Sequence, residues 1–141
     1  MTHLVLFIDG ASKGNPGAAG IGALLTTPDG DMVAEISEPI GIATNNVAEY
    51  KALIRGLEEA RARGAGSVLV HTDSELMARQ MEGRYKIKAP HLLALQQEAR
   101  ALCGRFPGGV RLTHILRGGN ARADDLANQG ARANPPARAG G

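Results

Sequence analysis

Four acidic residues of this chain sit where acids are seldom placed for solubility alone. Asp9 ends the apolar run LVLFID (4–9), and Asp73 ends a second such run, SVLVHTD (67–73). Glu49 falls in the first turn of a predicted helix, among Val47, Ala48 and Leu53, and Asp124 lies in the segment ADDLA. Singly, each has an ordinary explanation: Asp73 as the cap of the helix after it, Glu49 as an acid favoured by a helix N-terminus, Asp124 as surface charge. Jointly they imply more. If the two apolar runs are neighbouring strands of an open α/β sheet, Asp9 and Asp73 emerge side by side at strand ends, where such sheets build their sites. Carboxylates gathered there repel one another, which raises their pKa values or demands cations. With no histidine or thiol cluster, all-oxygen ligation points to Mg²⁺ or Mn²⁺ rather than zinc.

The stretch FIDGASKGNPGAAGIGALL (7–25) offers a competing chemistry, because its five glycines follow a strand as a phosphate-cradling loop would. It fails that test. Counted from Gly20 the dinucleotide pattern G-x-G-x-x-G lacks its third glycine, no Gly-Lys-Ser/Thr ends the loop, and a strand rather than a helix follows. The glycines read instead as a turn between two hairpin strands. That reading leaves Asp9, an acid at the end of a buried strand, to be explained.

The elements that must position these acids follow from apolar periodicity. Strands are predicted at 4–9, 21–27 and 32–40, the last two joined by the Asp-Gly turn in TPDGD (27–31). From Asn46 the period changes to that of a helix, with Thr44 or Asn45 as its cap and Gly64 as its stop. A strand at 67–73, a short helix at 74–83, an amphipathic helix at 90–106, a strand at 110–116 and a helix at 120–133 complete the order βββ-α-β-α-α-β-α. That order predicts an α/β fold with a mixed sheet. An antiparallel meander forms one side, parallel crossovers the other, and helices cover both faces.

Composition sets the bounds. The chain has 141 residues, enough for one domain with its own core, expected over 1–133 with a flexible tail at 134–141. Aromatic residues make up 3%, so nucleic-acid contact cannot rest on a bed of stacking rings. The net charge of +2 permits a polyanionic partner without arguing for one. The single cysteine, Cys103, excludes an internal disulfide and is expected to be buried in a helix. No segment approaches the ~20 apolar residues that cross a bilayer, and a cytoplasmic location without membrane contact is the expectation.

Four blocks carry a resemblance to type 1 ribonuclease H: FIDGASKGNPG (7–17), TNNVAEYKAL (44–53), HTDSELM (71–77) and NARADDLAN (120–128). The resemblance runs to about Ala133 and implies a five-stranded mixed sheet with helices on both faces. It also implies a metal-dependent endonuclease that cuts the RNA strand of RNA–DNA hybrids, leaving 3′-hydroxyl and 5′-phosphate ends. Asp9, Glu49, Asp73 and Asp124 would hold two Mg²⁺ ions, with Mn²⁺ a possible substitute. Gly10 through its backbone, Asn15, Asn45 and Asn46 would line the hybrid's minor groove near the RNA 2′-hydroxyls. Thr44 would help hold a DNA phosphate, and Ser74 would lie beside Asp73 near the RNA. A monomer without an evident protein partner is expected.

The chain departs from the family pattern in three places. The loop LRGGNARAD, before the last helix, lacks the histidine that some members carry. Arg117 is its candidate replacement, able to steady a phosphate but not to shuttle a proton near neutral pH. Asn120 in the same loop matches a family asparagine near the site and would bind substrate there, or caps the last helix. No basic helical protrusion interrupts EGRYKIKAPHLLALQ, which offers only Arg84, Lys86 and Lys88 around Tyr85, and Glu75 adds a negative charge near the site. Two further readings stay open: a non-catalytic hybrid-binding module, against which the four acids argue, and a related nuclease of broader range, such as one acting on double-stranded RNA.

Overall fold

Alternate residues of the first strand are fully buried, and that strand becomes the middle of the sheet. In the computed structural model, which describes residues 2–134, β1 (Thr2–Ser12) is flanked by β2 (Gly17–Thr26), antiparallel, and by β4 (Ala65–Thr72), parallel. β3 (Met32–Ala43) extends the meander antiparallel to β2, and β5 (Val110–His114) lies parallel to β4. The sheet order is β3-β2-β1-β4-β5, the five-stranded mixed sheet that the sequence predicts.

Each face has its helix. α1 (Asn45–Ala62) lies over the face carrying Leu6, Ile8, Ile21, Ala23 and Leu25, with α3 (Pro90–Cys103) packed behind it, and this layer holds the main apolar core. α4 (Ala121–Arg132) crosses the opposite face, over β2, β3 and β1. The short α2 (Glu75–Met81) follows β4, and a 3₁₀ turn (Arg117–Asn120) precedes α4. Thr44, not Asn45, caps α1: its hydroxyl accepts from the Val47 N–H at 3.2 Å. Gly64, just past the helix, has φ +80°, the left-handed conformation a stop signal requires.

Several boundaries differ from expectation. β1 and β2 run deep into the glycine-rich stretch, so the turn between them is only 13–16, and Gly10, Gly17 and Gly20 join Gly22 as strand residues. The cause is α4. A Cβ at Gly22 would stand 2.3 Å from the Ala123 carbonyl oxygen and one at Gly20 would stand 2.1 Å from the Ala131 nitrogen, so these glycines let a helix lie directly on the strand. α3 ends at Cys103 rather than 106, though Phe106 beyond it is buried. Asn134, assigned to the tail, is fastened: its side chain donates to the Ala19 carbonyl at 2.7 Å and accepts from the Gly41 N–H at 2.9 Å. The rest of the predicted tail lies outside the described residues. Among these, no helix is long and apolar enough to cross a membrane.

Candidate functional site

Parallel pairing of β1 with β4 sets Ile8 opposite Thr72, so the next residue of each strand, Asp9 and Asp73, leaves the sheet at the same end. Glu49 reaches this point from α1. It sits in the second turn of the helix, not the first, and Gly10 explains its closeness. A Cβ on Gly10 would be 2.5 Å from the Ala48 carbonyl carbon and the Glu49 nitrogen, so only glycine after Asp9 lets α1 come down beside it. Asp9, Glu49 and Asp73 each offer an oxygen within 4.8 Å of the others. Asp124, in the first turn of α4, comes up beside Asp9 from the other face of the sheet but stands outside that group of three.

The ordinary explanation of Asp73 fails here. Ser74 caps α2, accepting from the Met77 N–H at 3.2 Å, which leaves the Asp73 carboxylate uncommitted to the helix. Asn120 does not cap α4 either. It is 1% exposed, and its Nδ2 donates to the Ile8 carbonyl at 2.8 Å and to Asp73 Oδ2 at 3.3 Å. Expected to touch substrate, Asn120 instead stands behind the acids and fixes one of them to the end of β1, because burial denies it an open side.

Burial pushes the Asp9 carboxyl up to about 7; a hydrogen bond from Glu49 opposes the rise, and Asp124 and Asp73 add to it. Glu49 is raised well above the ordinary carboxylate range, by burial first and then by the charge of Asp9. Glu49 Oε2 and, nearby, Asn46 Oδ1 are buried acceptors without a donor. No ion pair among the described residues reaches any of the four acids. An oxygen-only set with unpaired buried acceptors and no protein cation fits a hard divalent metal ion.

The acids floor a cleft of about 650 Å³. Its walls include Gly10, Asn15, Asn45, Asn46, Ser74 and Arg117, so most of the sequence-predicted contact residues converge on one opening. Asn15 Oδ1 accepts from the Asn45 N–H at 3.2 Å and ties the β1–β2 turn to the start of α1. Thr44 accepts the α1 capping bond and is not part of the wall. Glu75 turns away toward Arg79, 3.6 Å distant. His114 is exposed on β5, and Arg84, Lys86 and Lys88 lie on the α2–α3 connector without an inserted helix. Sequence reasoning missed Leu76 and Asn128 in the wall. Asn128 was discoverable, since it stands four residues after Asp124, one helical turn on the same face.

A family model described as reverse transcriptase-like matches residues 7–130. RNase H1 of the archaeon Halobacterium salinarum superposes with a TM-score of 0.90 at 40% identity, covering 94% of this chain and 99% of that one. The chain belongs to the ribonuclease H-like family. LC11-RNase H1, solved in complex with an RNA/DNA hybrid, is 41% identical with a TM-score of 0.86, over 92% of this chain and 96% of that one. The bifunctional protein Rv2228c of Mycobacterium tuberculosis is 47% identical over 126 residues, which are 89% of this chain and 34% of that protein. This chain thus spans about a third of the length of the mycobacterial relatives it matches. The five-stranded sheet and its helices described above are what superposes on these solved structures.

Proposed function

We propose that the chain is a metal-dependent endoribonuclease that hydrolyses the RNA strand of RNA–DNA hybrids, leaving 3′-hydroxyl and 5′-phosphate ends. The observation that carries this reading is the meeting of Asp9, Glu49 and Asp73 within 4.8 Å at the floor of an open polar cleft, with a buried Glu49 oxygen left unpaired. Similarity to a relative solved with an RNA/DNA hybrid supports the substrate. Asp9, Glu49, Asp73 and Asp124 would hold two Mg²⁺ ions. Bound there, such ions supply an activated water and charge stabilisation for the leaving oxygen.

The other roles belong to the chain itself. The Gly10 backbone, Asn15, Asn45 and Asn46 present small or amide groups along one wall, suited to sugar edges and the 2′-hydroxyl that distinguishes RNA. Arg117, exposed at the rim, would hold a phosphate without exchanging a proton. The Ser74 and Thr44 hydroxyls each accept a helix-capping bond and keep a proton to donate to substrate.

The test is cleavage of matched RNA–DNA, RNA–RNA and DNA–DNA duplexes with Mg²⁺, Mn²⁺ or EDTA. Cutting of the hybrid's RNA strand alone, abolished by EDTA, is the expected result. Hybrid binding without cleavage in either metal would overturn the reading in favour of a binding module.

A further inference from the structure

The fourth acid is held by a chain of side chains that neither the resemblance nor the carboxylate chemistry accounts for. Asn128 Nδ2 donates to the Asp124 backbone carbonyl at 2.9 Å and to Asp124 Oδ1 at 3.3 Å. The Oδ1 of the same amide accepts from Lys13 Nζ at 2.6 Å, across 115 residues of sequence. The amide has one workable orientation. Flipped, its oxygen would face a carboxylate and a carbonyl, and its NH₂ would face an ammonium. Lys13 therefore fixes which end of Asn128 meets Asp124 and, by polarising the amide, strengthens that donor. Lys13 belongs to the 13–16 turn, two residues before Asn15, while Asn128 and Asp124 are on α4. The bond fastens the turn at the cleft wall to the helix that carries the one acid outside the group of three.

We infer that Lys13 and Asn128 are positioning residues for Asp124: they set the carboxylate against Asp9 and thereby the protein's affinity for the divalent ion that Asp124 serves. Residues that hold a metal ligand rather than the metal typically change affinity by about 10–100-fold when removed. Asp124 lacks the burial that fixes Asp9 and Glu49, so its placement depends more on such a bond. The cleavage arm of the test rests on the function proposed above; the metal-binding arm does not.

The experiment measures Mn²⁺ binding to the hybrid-free protein, by the EPR signal of free ion, and the Mg²⁺ dependence of hybrid cleavage. The variants are Asn128→Ala, Asn128→Asp, Lys13→Met, Lys13→Arg and Lys13→Met with Asn128→Ala, and Asp124→Asn marks the part of the isotherm that Asp124 controls. Asn128→Ala is expected to move that part roughly tenfold to higher Mn²⁺. It should lower kcat at limiting Mg²⁺, recoverably at high Mg²⁺, and leave KM for the hybrid within about twofold. Asn128→Asp, which keeps the volume and reverses the donor, should do at least as much. Lys13→Met should shift binding the same way by less, Lys13→Arg should behave as the parent, and the double variant should match Asn128→Ala alone because the two act as one chain.

Unchanged melting in EDTA separates this from a folding defect. An isotherm that Asn128→Ala leaves unmoved, whether or not Asp124→Asn moves it, overturns the inference. So do fully additive Lys13 and Asn128 effects, or a Lys13→Met loss confined to KM, since either makes Lys13 an independent substrate contact. If the expected Mn²⁺ shifts occur in a protein that cuts no hybrid, the inference stands and the proposed function falls.

Discussion

At the scale of single residues, the acids carry a cost that their ligand would remove. Asp9 and Glu49 are both buried, and both are held above the ordinary carboxylate range. A carboxyl whose pKa is higher folded than unfolded binds more protons in the folded state over the interval between the two values. Stability therefore falls as pH rises through that interval, here from about 4 to about 7 for Asp9. Metal-free protein should accordingly melt at higher temperature near pH 5.5 than near pH 8, and saturating Mg²⁺ should narrow the difference; calorimetry in EDTA and in Mg²⁺ checks both. Asp9→Asn removes the charge without changing the volume. It should abolish cleavage while raising the metal-free Tm at pH 8, each relieved kcal/mol counting for about 4 °C in a chain of this size. A variant that cleaves at the parent rate would remove Asp9 from the machinery. Asp73→Asn should also abolish cleavage. Its carboxylate is half-buried and bonded by Asn120, so little gain in Tm is expected.

At the scale of elements, α4 and β2 are built for contact closer than side chains normally allow. Gly20 and Gly22 face Ala123, Ala127 and Ala131, and the helix that rests on them delivers Asp124 to the site. Gly22→Ala puts a methyl group where only 2.3 Å is open, so α4 must lift. A loss of about 1–3 kcal/mol is expected from overpacking of this kind, together with weaker Mg²⁺-dependent activity because Asp124 moves with the helix. Urea melts and an Mg²⁺ titration of cleavage measure the two effects. This seam is where sequence reading fell short. Alternation and turn signals gave the chain order of the elements, an α1 cap at Thr44 or Asn45 and its stop at Gly64. Glycines in a strand carry no periodic signal, so a paired segment read as a turn. The 3₁₀ turn at 117–120 was equally silent, and with it Asn120 read as a substrate contact or a cap rather than as a bridge from β1 to Asp73. Asp9 and Asp73 were legible because an acid closing an apolar run is conspicuous. Asn128 carried a spacing signal, one helical turn from Asp124, but an amide on an amphipathic helix looks like ordinary surface and was passed over.

At the scale of the whole molecule, charge decides how the chain would hold a polyanion. The net charge is only +2, and many arginines are engaged by acids on the same surface. Arg55 pairs with Glu38 and Glu59, Arg63 with Glu59, Arg84 with Glu82 and Arg122 with Glu35. Lys13 is taken up by Asn128, so around the cleft and the α2–α3 connector the cations left without a partner among the described residues are Lys86, Lys88 and Arg117, and no basic protrusion adds to them. Each phosphate neutralised by a protein cation contributes a slope of about −0.9 to the dependence of log K on log salt. About three cations give a slope near −2.7, so affinity should fall roughly fortyfold between 50 and 200 mM salt. A dedicated basic groove making 6–10 phosphate contacts would lose about 10³–10⁵ over the same range. Fluorescence anisotropy of a labelled hybrid on Asp9→Asn protein measures this without cleavage. Arg117→Ala should flatten the slope by about one unit, since the rim arginine then releases no counterion. A slope steeper than about −6 would show that arginines now paired on the surface exchange their acids for phosphates, and the weak-grip account would fail.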